Sequence, residues 1–169
     1  LLEVAGTANV TGTTTIQGLT VGKGFSSISN NTALGVSALA ATIGAGSENT
    51  AVGYQAGIAI TTGDSNSVFG SLNGSSLTTG GTNSYFGARA GYGNQTGTGN
   101  TAVGYAAIKG VAANSNSSNT GIGSAALTAV TTGIENTGVG ANVLLALTTG
   151  GTNTAIGMKA LGGVVTGSG

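Results

Sequence analysis

The chain has 169 residues, 34 of them Gly, with four acidic and four basic side chains and no Pro, Cys, His or Trp. Without Cys or His there is no disulfide framework, zinc site, thiol nucleophile or imidazole base, and without Pro or a strict three-residue glycine period the glycine is not collagen. Zero formal charge with no cluster of Lys or Arg leaves nothing to neutralise a phosphate backbone, so no nucleic-acid partner is expected.

Residues 1–29 form a lead-in. Its stretch from Val10 to Gly22 alternates Thr with apolar residues between glycines, which predicts short strands and turns. Throughout the chain Gly, Ser, Thr and Asn interrupt every apolar run. No segment approaches the roughly 20 apolar residues that span a bilayer, and no basic start precedes an apolar run as in a signal peptide. The chain opens on Leu1 rather than Met and closes on Gly167, Ser168 and Gly169 inside a repeating pattern, so it reads as a fragment of something longer.

From residue 30 to 169 the sequence repeats. An Asn followed by Thr or Ser, with Gly four residues after the Asn, occurs at Asn31, Asn49, Asn66, Asn83, Asn100, Asn119, Asn136 and Asn153, at intervals of 18, 17, 17, 17, 19, 17 and 17 residues. Taking each Asn as position 0, position +3 is always large and apolar: Leu34, Val52, Phe69, Phe86, Val103, Ile122, Val139 and Ile156. This rank is the expected core of each unit. Position +4 is always Gly: Gly35, Gly53, Gly70, Gly87, Gly104, Gly123, Gly140 and Gly157. A glycine at one phase of every unit, at about 0.5 to 1 kcal/mol of backbone entropy each, implies a positive φ or an approach too close for a Cβ atom. Position +7 is usually Ala, +8 is Leu, Ile or Gly, and a Thr-Thr-Gly turn recurs near +12 to +14, as at Thr61-Thr62-Gly63.

A 17-residue unit is too short for helix-pair repeats and lacks the leucine-rich pattern. It fits one coil of an all-β solenoid or β-roll, with a short strand from +1 to +3 and turns at the Asn and at Thr-Thr-Gly. Eight coils at about 4.8 Å make a rod about 38 Å long. The stretch after the +4 Gly leaves a single helical turn open as an alternative. Stacked asparagines are expected to form a hydrogen-bonded ladder along the rod. The entropy spent on so many glycines makes a lone chain marginal, and association of several chains is the simplest remedy.

The units Asn49-Thr50-Ala51-Val52-Gly53-Tyr54-Gln55-Ala56-Gly57, Asn100-Thr101-Ala102-Val103-Gly104-Tyr105-Ala106-Ala107-Ile108 and Asn153-Thr154-Ala155-Ile156-Gly157-Met158-Lys159-Ala160-Leu161 resemble the repeats of phage tail-fibre shafts. More distantly they are similar to the head repeats of trimeric autotransporter adhesins, whose unit is usually shorter. The lead-in, with Asn9-Val10-Thr11-Gly12 and Leu19-Thr20-Val21-Gly22, resembles the segment that often precedes such repeats. The resemblance implies a parallel homotrimeric fibre in a virion tail that contributes to host attachment, with other fibre or tail proteins and a host surface glycan as partners. The alternative is a repeat domain of a surface adhesin or other extracellular filament.

The chemistry-bearing residues are few. Glu48 and Glu135 stand immediately before repeat asparagines, Asp64 stands two before Asn66, and Arg89 and Lys159 both occupy +6. No acid, base or nucleophile constellation emerges, so neither catalysis nor a cofactor is expected. A calcium β-roll needs an Asp in each unit, and Asp64 is the only Asp. Threonine ranks suggest an ice-binding surface, but adjacent threonines in a strand point to opposite faces. Tyr54 and Tyr92 are candidates for stacking on a sugar, against the alternative of a chain-to-chain contact.

Overall fold

The computed structural model describes residues 14–16, 19–23, 30–41, 46–111 and 114–169. Most of the lead-in, including Asn9-Val10-Thr11-Gly12, lies outside them. The described residues are all-β: β1 (Thr14–Ile16), β2 (Leu19–Gly22), β3 (Thr32–Gly35), β4 (Thr50–Val52), β5 (Ser67–Phe69), β6 (Ser84–Phe86), β7 (Thr101–Val103), β8 (Thr120–Ile122), β9 (Thr137–Val139) and β10 (Thr154–Ile156). They form one sheet in sequence order. β1 and β2 pair antiparallel, β2 lies antiparallel on β3, and β3 to β10 run parallel. Each coil supplies one strand, so the chain is a β-solenoid. Among the described residues no helix is long and apolar enough to cross a membrane.

Stacking is in phase. Thr32, Ala33 and Leu34 pair with Thr50, Ala51 and Val52, and even across the 19-residue interval Thr101 meets Thr120 and Val103 meets Ile122. Coil-to-coil bonding continues beyond the strands, with Leu39 N donating to Ala56 O at 3.1 Å and Gln55 N to Val36 O at 2.8 Å.

The asparagines hold this register. In each of the seven steps from one repeat Asn to the next, the Oδ1 of the earlier residue accepts the backbone N–H of the later at 2.8 to 3.0 Å. The same Oδ1 accepts the later residue's Nδ2 at 2.9 to 3.3 Å. Nδ2 also donates to the carbonyl that closes its own coil, such as Gly63 O for Asn49 at 2.8 Å and Asn116 O for Asn100 at 2.9 Å. From Asn49 to Asn136 the amide therefore uses both donors and accepts two bonds, which a buried amide requires. All eight asparagines are buried.

Burial of position 0 decides which side of the strand faces inward. Strand side chains alternate, so +2 lies inside with the Asn while +1 and +3 point out. The +3 residues are consequently not the core. Leu34, Phe86, Val103, Ile122 and Ile156 are exposed, and Val52, Phe69 and Val139 are only half-buried. The core is built from +2, +7, +8 and +11: Ala51, Ala56 and Ile60 in one coil, Val68 and Leu77 in the next, and Ala126, Leu127 and Val130 further on.

Volume is traded between these positions. Where +2 is Gly121, the Ile108 side chain of the preceding coil occupies the space, and a Cβ on Gly121 would meet Ile108 Cγ1 at 2.7 Å. Where +2 is Tyr85, position +8 is Gly91, and a Cβ there would collide with the tyrosine ring. Close packing makes such compensation necessary because neither a void nor an overlap is tolerated cheaply.

Seven of the +4 glycines, Gly35 to Gly140, satisfy both conditions expected of them, while Gly157 in the last coil has the positive φ alone. Their φ angles run from +119° to +149°, and a Cβ on Gly104 would lie 2.7 Å from the Gly123 carbonyl carbon of the next coil. After each +4 glycine the chain forms turns rather than a helical turn, and in six coils +7 N donates to +4 O, as from Ala56 to Gly53 at 3.3 Å. Left-handed residues at +6 and +8, such as Ala106 (φ 54°) and Ile108 (φ 45°), prevent a right-handed helix from propagating.

Replacing Asn100 by Ala removes the acceptor for Asn119 and the donor to Asn116 O, and is expected to lower unfolding free energy by about 2 kcal/mol in urea titration. Asn100→Asp is expected to cost more, because a buried charge would replace the amide donors. Gly104→Ala forces a strained φ and a backbone clash together, for an expected loss of about 3 kcal/mol by the same measurement.

Candidate interaction face

The strands β3 to β10 present one continuous outer face. Thr and Ser at +1 and the apolar rank at +3 stand on it, repeated once per coil by the in-phase pairing. Phe69 and Phe86, neighbours on this rank, stack with ring centroids 5.0 Å apart and planes 5° from parallel. Along the rank Leu34, Phe86, Val103 and Ile122 are 37% to 42% exposed, Val52, Phe69 and Val139 less so, and Ile156 in the last coil 73%. At +5 the face continues with exposed Val36, Tyr54, Tyr105 and Met158. A contiguous row of this size on a chain so poor in charge is the most distinctive surface feature of the molecule.

Five charged residues flank the face, while Lys109 stands half-buried at +9 of its coil and Lys23 in the lead-in. Glu48, Asp64 and Glu135 lie exposed just before the strand starts, and Arg89 and Lys159 lie exposed at +6, beyond the strand ends. The acids also tie coils together: Asp64 Oδ1 accepts from Ser47 N at 2.6 Å, and Glu48 Oε2 accepts from Ser65 Oγ at 3.0 Å. Among the described residues no group of three or more His, Asp, Glu or Cys is placed to hold a metal ion.

Tyr54 and Tyr92 are not brought together. Tyr54 stands at +5 with half its surface exposed, whereas Tyr92 stands at +9 two coils later, half-buried, with the Arg89 guanidinium 6.0 Å from its ring centroid. That cation lies over one face of the ring. The Thr-Thr doublets also divide. At +12 the hydroxyl of Thr78 donates to Gln95 O at 3.0 Å and that of Thr131 to Thr148 O at 3.1 Å, while the +13 threonines are exposed as a single file. A shallow depression bordered by Asn142, Leu145, Lys159, Gly162 and Gly163 lies on the +6 to +10 side of the last coils.

The buried tyrosine, Tyr85, was not expected from its residue type. It occupies +2 and is fully enclosed, and its hydroxyl accepts a hydrogen bond from Asn94 Nδ2 at 2.8 Å. Asn94 stands at +11, where other coils carry Ile60, Leu77, Val130 or Leu147. The Tyr-Gly-Asn combination at +2, +8 and +11 of one repeat was the available sequence signal: a large polar-tipped residue, a vacancy for its ring and a partner for its hydroxyl.

Burial raises the Tyr85 phenol well above the ordinary tyrosine value near 10, although its hydrogen bonds with Asn94 and Asn100 oppose the shift. The folded state therefore holds the proton more tightly than the unfolded chain. Stability from this group is complete below pH about 10 and is lost as pH rises above it toward the folded-state value. Unfolding free energy is expected to fall with pH above about 10, and Tyr85→Phe is expected to reduce that slope. Absorbance at 295 nm, followed together with circular dichroism, checks both.

Comparison with protein-family models, with curated proteins and with solved structures finds no match in any of the three.

Proposed function

We propose that this chain is a structural repeat module from the shaft of a phage tail fibre, working as a parallel homotrimer that spans distance between the virion and its host. The observation that carries this reading is the outward apolar rank from Leu34 to Ile156, running the length of a solenoid whose own core is already filled by other positions. A rod whose interior is complete has no internal use for such a row, and covering it by further chains removes apolar surface from water. The likeness of the Asn-Thr-Ala-Val-Gly units to shaft repeats supports the same reading. A low charge and a uniform cross-section suit a spacer.

Contribution to host attachment is mechanical on this reading. The stacked hydrogen bonds make the rod stiff along its axis, so a binding surface carried on the same fibre is held away from the particle. Light scattering is expected to give three times the 15.8 kDa chain mass, and small-angle X-ray scattering an elongated particle. A monomeric, compact particle would sink the proposal. In a producing culture the protein is expected to co-sediment with phage particles, and recovery in the cell envelope would favour the adhesin reading instead.

Phe86→Asp tests the rank directly. The side chain lies outside the coil core, so a folded chain of unchanged circular dichroism is expected, with association weakened at least tenfold in sedimentation equilibrium.

A further inference from the structure

Asn73 and Gly74 are the chain's one Asn-Gly pair, at +7 and +8 of the coil that starts at Asn66. Gly74 has a packing reason: its φ is +54°, and a Cβ on it would meet Val68 Cγ1 at 3.2 Å and Tyr85 Cδ2 at 3.3 Å. Asn73 has no such reason. At +7 six of the other coils carry Ala and the seventh carries Val143. The Asn73 side chain is fully buried, and its Nδ2 donates to Phe69 O at 3.1 Å and to Gly87 O at 2.6 Å, but its Oδ1 has no partner. A buried acceptor left unpaired is a cost that the alanines of the other coils avoid.

We infer that Asn73-Gly74 is a self-modifying site, which deamidates in the unfolded chain and is held unreactive by the closed coil, so that folding must come first. The step is intramolecular. The backbone nitrogen of Gly74 attacks Asn73 Cγ, a new C–N bond forms, and the Cγ–Nδ2 bond breaks. Nδ2 leaves as ammonia, carrying the proton from the Gly74 nitrogen. Water then opens the five-membered succinimide at either carbonyl, giving aspartate or isoaspartate. Glycine after the Asn favours ring closure, because no Cβ crowds the ring and the backbone turns freely.

The folded coil restrains each participant. Gly74 N donates to Ala90 O of the next coil at 2.9 Å. Nδ2 is fixed between two carbonyls, one in its own coil and one in the next. Negative charge builds on Oδ1 as the nitrogen adds, and no donor stands there to receive it. Reaction therefore waits on an opening that breaks all three hydrogen bonds, and its rate falls with the population of that opening.

Neither product fits the coil. Aspartate sets an oxygen, and a charge, against Phe69 O and Gly87 O in an enclosed space. Isoaspartate runs the main chain through the side-chain methylene, which adds a backbone atom between β5 and β6, two strands that pair in phase from Ser67 with Ser84 to Phe69 with Phe86. A modified chain cannot close this coil, and a closed coil is not modified. The pair thus sets a time limit on folding, in a stack whose non-local pairing makes folding slow. It needs no partner copy and stands or falls apart from the fibre reading.

Peptide mapping by mass spectrometry, with the full chain held either native or in guanidinium chloride in the same mildly alkaline buffer, tests the site. In denaturant, Asn73 is expected to deamidate before every other Asn. In the native chain its rate is expected to be at least about a hundredfold lower. Equal rates in the two states, or faster loss at another Asn in denaturant, overturn the inference. On dilution from denaturant, the refolded fraction is expected to be depleted in both products at least about tenfold relative to the fraction that stays unfolded, by circular dichroism and mass spectrometry together. Refolded chains that carry the products in undiminished amount overturn the time limit. Asn73→Ala places the residue of six other coils at this position, and its refolding yield is expected to stay constant over the same incubation. A decline equal to that of the unsubstituted chain overturns the role given to Asn73.

Discussion

The buried file of asparagine side chains is the constraint on which the rest of the solenoid depends. Each link joins a side-chain oxygen to the backbone N–H and side-chain amide of the next Asn, and each amide also closes its own coil through a carbonyl fourteen to sixteen residues on. Aspartate would supply no donors, and serine could not reach both partners with two. Because the amide is enclosed, each bond left unmade would carry the desolvation cost of a buried polar group. The file therefore sets spacing, register and closure together, and a coil that lengthens to 18 or 19 residues does so elsewhere while its Asn stays in line.

From that file the remaining architecture follows by parity. An inward Asn at 0 forces +2 inward and +3 outward, since a strand alternates. Inward positions then carry small or mutually compensating side chains, from Gly121 against Ile108 to Tyr85 over Gly91. The +4 glycine turns the chain at a φ that other residues rarely adopt and lets neighbouring coils approach as closely as the ladder demands. Positive φ at non-glycine residues of +6 and +8 adds local strain in every coil, and the dense coil-to-coil hydrogen bonding holds it. The outward apolar rank is thus a consequence of satisfying the interior first. It leaves a regular row on the outside for which association is the natural use.

Much of the coil was legible from residue spacing. The period, the strand at +1 to +3, the turn glycines and the stacked asparagines all correspond to short-range rules in which a residue type at a fixed phase has one economical explanation. Burial of the +3 rank was expected on hydrophobicity alone, and that expectation failed because side choice is relative: the stretch reads the same whichever face is wrapped inward. An alternating Asn-Thr-Ala-Val places either Asn and Ala or Thr and Val inside. Buried Ala, with a fully bonded Asn, wins over Val because the ladder's bonds cannot be made on the outside in competition with water. Tyr85 illustrates the same limit, since its burial depends on a vacancy and a partner contributed by Gly91 and Asn94 later in the coil.

By itself the sequence determined that this chain is a stack of similar coils, because periodicity and backbone-permissive glycines are properties of single residues and their spacing. Only the tertiary structure decided which face is core, where Tyr54 and Tyr92 stand relative to one another, and that Glu48, Asp64 and Glu135 stand at one edge of an apolar face with Arg89 and Lys159 beyond the other. Those outcomes depend on closing the coil in three dimensions, where the demand to satisfy the stacked repeat-Asn amides outweighs the hydrophobic preference of any one side chain.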